Sequence, residues 1–362
     1  MQILMLSIFA KCGVFTHVRD LAVYLQKLGL NPVIGFIDNK KCRKKFALSS
    51  EDRTAMIKTL DNVPFFFFAT AGELKKQLKR QKPNLIHAHS PFVLNFGQEL
   101  AEQLKVPYVI TLHGVLAWAK RYRAPINAAD MIIAVGTETA KSLGRAYRYK
   151  SKVIFNGIDL NYFRPPLQRD FTGPLRVLWL GRVSGKAALG VECLSEAVGR
   201  LRREGIAVEA KAIGNVGGAK ITNLEYCGWV HDLLPALQWG QVAFARGRAL
   251  REAMACGNAG FLLAQGYGGP VTAELFGGKQ LPLLSGERKH GAEKLNPVRI
   301  AEDLKKLHYN RHLLAEKCLE ARQIAKKHFD VEKMVKETLF VYEEAVKRKR
   351  KKLNKENFLA CK

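Results

Sequence analysis

Residues Val242–Ala264 read VAFARGRALREAMACGNAGFLLA. VAFA is a short unbroken apolar run, as expected of a strand buried on both faces of a parallel sheet. Arg246-Gly247-Arg248 reads as a turn, Ala249 to Cys256 as a short helix, Gly257 as its cap and Gly260 to Ala264 as the next strand. The stretch is therefore a βαβ unit. A glycine-bearing loop that opens a helix presents backbone N–H groups to an anion at the carboxyl edge of such a sheet. Glu252 falls about one turn into the helix, where a carboxylate can accept the two hydroxyls of a ribose. Ala253, Met254 and Ala255 are small or apolar, as close helix–sheet packing requires. Taken alone, the stretch fits equally well a βαβ unit with an incidental surface glutamate.

Outward from this unit, apolar strands alternate with amphipathic helices along the chain, the pattern of parallel α/β sheets covered on both faces. ILMLS, PVIGFI, FFFFA, NLIHA, YVITL, MIIAV and KVIFN read as strands of a first half. RVLWL, VEAKAI, VAFA and GFLLA read as strands of a second. A length of 362 residues favours two domains, each large enough for its own core. The polar stretch from Arg164-Pro165-Pro166 to Gly173-Pro174 is the best linker candidate. These signals place one domain at 1–168, a second at 169–325, a terminal helix at 326–346 and a frayed basic tail at 347–362.

Lys and Arg total 59 against 32 Asp and Glu, a formal net charge of +27. The excess gathers at KKCRKK (Lys40 to Lys45), KKQLKRQK (Lys75 to Lys82), KRYR (Lys120 to Arg123) and KRKRKK (Lys347 to Lys352). Such a field seeks a polyanion, whether an anionic membrane surface, an acidic glycan or nucleic acid. Solvated helix faces account for part of it. No helix-turn-helix, zinc-finger or aromatic RNA-binding signature accompanies the charge, so no nucleic-acid partner is expected. No apolar run approaches the ~20 residues that span a bilayer. No basic residue precedes the apolar N-terminal stretch, so it reads as a first strand and not as an export signal. A cytoplasmic, membrane-peripheral protein is the expectation. The seven cysteines are scattered without a C-x-x-C pair, which argues against a disulfide framework and a cysteine zinc site.

The segment GRALREAMACG resembles the donor-nucleotide segment of glycosyltransferase family 4, the retaining GT-B enzymes. CGVFTHVRDLAVYLQKLG, NLIHAHS, VITLHG and VIFNGID look like that family in the same order, followed by LRVLWLGRVSGK, AIGN and EYCGWVHDLLPAL. No single motif is specific; the ordered set, spanning about Met1 to Gly269, is. The resemblance implies a GT-B architecture, two doubly wound Rossmann-like domains facing across a cleft. The N-terminal domain would serve the acceptor and the C-terminal one the nucleotide sugar, with the last helix crossing back to the N-terminal domain.

It also implies roles. Arg182 and Lys186, which follow the strand RVLWL, would face the donor diphosphate, although Lys186 precedes Ala187 where relatives have a glycine. Glu252 would bind the ribose. Relatives carry a second glutamate eight residues earlier; here that position is Phe244, so a polar contact to the donor sugar is missing. Arg246 and Arg248 are candidates to take over part of that function, and Gly268 and Gly269 to line the donor site. Gly13 would let the backbone approach sugar or phosphate, although its usual companion glycine is Cys12. His113, at the end of YVITL, would contact the donor sugar. His87 and His89 alternate on one strand and so share a face; they suggest a metal, but no third ligand is expected nearby, and structural or acceptor-lining roles are favoured. His17 would help to fix the Gly13 loop.

No Asp-x-Asp pair is present, so no metal is expected and charge neutralisation falls to side chains and backbone dipoles. The expected activity is retaining transfer of a hexosyl or N-acetylhexosaminyl group from a nucleotide-diphosphate donor, with UDP the expected carrier. The acceptor would be a lipid-linked or envelope glycan, such as lipopolysaccharide or exopolysaccharide, at the cytoplasmic membrane face. A catalytically impaired binding protein and a GT-B epimerase or phosphorylase are the alternatives.

Overall fold

Seven apolar runs of the first half form one parallel sheet. Its strands are β1 (Gln2–Ile8), β2 (Asn31–Ile37), β3 (Phe65–Phe68), β4 (Leu85–Ala88), β5 (Tyr108–Leu112), β6 (Met131–Ala134) and β7 (Ser151–Val153). Their spatial order is β3-β2-β1-β4-β5-β6-β7. Between them run α1 (Gly13–Lys27), α2 (Lys40–Lys45), α3 (Ser50–Lys58), α4 (Ala71–Gln77), α5 (Leu94–Leu104), α6 (Trp118–Arg121), α7 (Arg123–Ala128) and α8 (Thr137–Leu143). The structure is a computed structural model and describes residues 1–78, 82–181, 188–215, 217–278 and 281–360.

The second half holds β8 (Leu175–Leu180), α9 (Ala188–Arg203), β9 (Val208–Ile213), β10 (Glu225–Gly228), α10 (Leu234–Trp239), β11 (Val242–Ala245), α11 (Gly247–Ala255), β12 (Ala259–Leu263) and β13 (Tyr267–Pro270). After these come α12 (Pro297–Tyr309), α13 (Arg311–His328) and α14 (Val331–Ala360). The sheet order is β10-β9-β8-β11-β12-β13, parallel except for the β12–β13 pair. Two strands add to those read from the sequence: EYCG is β10 and YGGP is the antiparallel β13.

Side-chain alternation divides each sheet between two cores. In the first, Ile3 and Met5 pack with α1 and with Val335, Tyr342 and Ala345 of α14, while Leu4 and Leu6 pack with Leu94, Leu100 and Ile126. In the second, Val177 and Trp179 face α9 and α12, while Leu178 and Leu180 face α11 and α13.

The chain forms two units, 1–157 with 331–362, and 158–330. These bounds correct the division at 168 and 325. The proline-bearing stretch belongs to the second unit because side chains and backbone anchor it there. Ile158 donates its N–H to the Phe329 carbonyl at 2.6 Å, Phe163 is buried, and the Arg322 guanidinium donates to the carbonyls of Leu160, Phe163 and Ala255. The expected frayed tail is likewise corrected: Lys347–Lys352 lies within α14, which continues to Ala360. Lys and Arg are good helix formers, Lys347 pairs with Glu344 one turn back, and Arg348 donates to the Tyr149 carbonyl. Among the described residues no helix is long and apolar enough to cross a membrane.

Candidate active site

In an open parallel sheet, ligands bind beyond the carboxyl ends of the strands where the strand order reverses. In the first unit that point lies between β1 and β4. The loop after β1 leads to Gly13, the first residue of α1, with Cys12 as N-cap and no side chain capping the helix. The space where a Gly13 Cβ would stand is open. His17 lies one turn further along α1, His89 just past β4, and His113 just past the neighbouring strand β5.

The fold thus brings together three histidines from distant segments. One ring nitrogen from each of His17, His89 and His113 lies within 4.8 Å of the other two. His89 Nδ1 is 3.4 Å from His113 Nε2, and the His17 and His113 rings meet edge to face with centroids 4.7 Å apart. Burial, reinforced by the neighbouring histidines, holds His89 and His113 well below the usual imidazole range, so both are neutral near pH 7. The expectation that His87 and His89 lack a third partner is corrected: the partners come from α1 and β5, far away in sequence.

His87 is set apart from this group. Its Nδ1 is 2.7 Å from the Tyr342 hydroxyl of α14 and its Nε2 is 2.7 Å from Thr111 Oγ1. Its side chain is fully buried and neutral, desolvation holding its pKa well down. It ties α14 to the sheet and backs the His89 ring at a centroid distance of 3.8 Å. With both nitrogens engaged inside the core, His87 takes the structural one of the two roles read from the sequence.

In the second unit the order reverses between β8 and β11. The loop after β8 carries Arg182 and Lys186, which lie outside the described residues. The loop after β11 supplies Arg246 as the N-cap of α11, and Gly247 begins the helix at φ +57°, a conformation that favours glycine. The helix opens two residues earlier than the sequence suggested. The Gly247 N–H donates to the Leu284 carbonyl at 2.7 Å, so this amide is not among those offered to an anion.

Arg248 Nε donates to Glu252 Oε1 at 2.7 Å across one turn of α11, with side chains 15% and 13% exposed. Arg246 lies 3.8 Å from Glu287, an acid that the sequence did not single out. Glu287 in turn pairs with Lys289 at 2.9 Å, and the Lys289 hydrogen bond holds its carboxyl below the usual range. Phe244 is fully buried and stacks on Phe261 with centroids 5.1 Å apart, so this position is core. Gly268 and Gly269 lie in β13, where a Cβ on Gly268 would meet Leu262 at 2.8 Å and Gly269 has φ +71°. Both glycines thus have a reason in the sheet itself.

The model of Glycosyltransferase Family 4 matches residues 12–162, from Cys12 beside the Gly13 loop past β7. This segment is similar to that family. Solved structures resemble nearly the whole chain. HepE of Anabaena in complex with UDP is 18% identical at a TM-score of 0.67, over 95% of this chain and 100% of that one. A glycosyltransferase of Rickettsia africae is 15% identical at 0.69, over 96% and 98%. TarM of S. aureus, as a mutant in complex with UDP, is 11% identical at 0.68, over 94% and 99%. Among curated proteins none matches the sequence. The fold is GT-B, two α/β domains built on parallel sheets.

Proposed function

We propose that this chain is a glycosyltransferase of family 4 and transfers a hexosyl or N-acetylhexosaminyl group from a UDP-sugar, with retention and without a metal, to a lipid-linked or envelope glycan. The observation that carries the reading is the start of α11: Arg246, Arg248 and Glu252 gather at the switch point of the second sheet. A nucleoside diphosphate needs both kinds of group there, cations for phosphate and a carboxylate for ribose hydroxyls. HepE has been solved with UDP, with UDP and glucose, and with UDP-glucose, which supports UDP as the carrier.

In this reading Glu252 accepts from the ribose hydroxyls and from Arg248, its partner one turn back on α11. Arg182 and Lys186 face the diphosphate, where negative charge grows as the glycosidic bond breaks, so their stabilisation is greatest in the transition state. His113, neutral, donates or accepts a hydrogen bond at the donor sugar, and the Gly13 loop admits sugar or phosphate close to the backbone. The attack comes on the face the leaving phosphate vacates. The basic helix α2 and the Lys347–Lys352 run, both exposed or half-exposed on the first unit, favour an anionic membrane surface where a lipid-linked acceptor resides. That surface is the inner face of the plasma membrane.

A panel of nucleotide sugars tested by thermal unfolding checks the donor. A ligand that binds only the folded form must raise its stability, by about 2.7 kcal/mol at a hundredfold excess over Kd. UDP-sugars are expected to raise the midpoint and UDP alone to do so in part. A panel that leaves it unmoved removes the donor site.

A further inference from the structure

We propose that His17, His89 and His113 form a binding site for a divalent transition-metal ion of the zinc type, three imidazoles leaving a fourth position open. The observations are geometric. Two Zn–N bonds of about 2.0–2.1 Å at the tetrahedral angle set their nitrogens about 3.3–3.4 Å apart. His89 Nδ1 and His113 Nε2 are already 3.4 Å apart, the edge of such a tetrahedron and longer than the about 2.7–3.2 Å of an ordinary N–H hydrogen bond. A ring nitrogen of His17 lies within 4.8 Å of a ring nitrogen of each of the other two.

The His89 side chain is fully buried. Behind His89 lies His87, held by Tyr342 and Thr111, with the two rings 3.8 Å apart at their centroids and tilted by 40°. Among the three, His113 is the half-buried member. An all-imidazole set selects zinc, copper or nickel over magnesium or calcium, which take oxygen ligands.

The site shares His113 with the donor contact of the proposed function. A bound ion therefore competes with the donor and inhibits transfer, and only this consequence rests on that reading. The transfer itself requires no metal.

The test uses the full chain stripped with a chelator and titrated with Zn²⁺ against a chromophoric competitor. One equivalent is expected to bind, and Co²⁺ in its place is expected to give visible ligand-field absorption without a thiolate charge-transfer band. His17→Gln and His89→Gln are each expected to weaken zinc binding by at least about 10–100-fold. Thermal unfolding in parallel confirms that each variant is folded, and His17→Gln carries the test if His89→Gln is not. No zinc retained by the wild-type chain, full-strength binding by the folded variants, or a thiolate band would each overturn the site while leaving the transferase reading intact. Stoichiometric binding lost in the variants supports it. If such binding leaves turnover of a UDP-sugar unaffected, the site stands and His113 is removed from the donor contact.

Discussion

Glu252→Ala separates a donor-binding carboxylate from an incidental one. In the structure Glu252 accepts from Arg248 at 2.7 Å, and its side chain is 13% exposed. A ribose adds two charge-assisted hydrogen bonds to the same carboxylate, at about 1.5–3 kcal/mol each. Losing both costs about 3–6 kcal/mol, a rise in the Kd for UDP of roughly 100- to 10,000-fold. The substitution also releases Arg248 from its i,i+4 partner, so part of the effect arises through that cation. Arg248→Ala and the double variant isolate this contribution, because residues in contact deviate from additivity by about 0.5–3 kcal/mol. Glu252→Gln keeps the shape and one acceptor oxygen, and is expected to fall between wild type and Glu252→Ala. The assay is calorimetric titration of each variant with UDP, with circular dichroism to confirm folding. UDP affinity unchanged in folded Glu252→Ala would refute the assignment and return α11 to the bland reading of a surface glutamate on a βαβ unit.

Other outcomes follow from the same account. Arg182→Ala is expected to lower kcat more than it raises KM, because leaving-group charge is largest in the transition state; a KM effect alone in steady-state kinetics would count against that role. Tyr342→Phe strands His87 Nδ1 in the core and is expected to cost about 1–3 kcal/mol. Urea unfolding reads this as a lower midpoint at constant slope, and a change below about 0.5 kcal/mol would mean that the bond does not hold α14. Co-sedimentation with anionic vesicles is expected to fall as salt rises, since each basic residue near the surface contributes about 1 kcal/mol and screening sets in over about 8–10 Å. Binding indifferent to lipid charge and salt would instead direct the positive charge to a soluble acidic acceptor.

Much of the fold is legible because buried parallel strands announce themselves as unbroken apolar runs, as VAFA and YVITL do. YGGP escaped because two glycines and a proline suppress every strand signal, and its antiparallel pairing depends on an irregular register with β12. KKCRKK was read only as charge; Asn39 turns it into a helix by accepting from the Cys42 N–H. In the candidate site, the Arg248–Glu252 pair was within reach, since the two residues lie four apart on one helix. The histidine cluster was not. His17, His89 and His113 meet only because β1, β4 and β5 are spatial neighbours in a strand order that the sequence does not state. The role of His87 was equally hidden, its partner Tyr342 being 255 residues away.

The most direct test of glycosyl transfer follows a UDP-sugar labelled at its anomeric carbon by NMR, in the presence of the chain and lipid-linked or glycan acceptors. The account predicts that the donor signal gives way to a product signal of the same anomeric configuration as UDP accumulates, with chelator present. A product of inverted configuration, or donor left intact across the UDP-sugar panel, would contradict it.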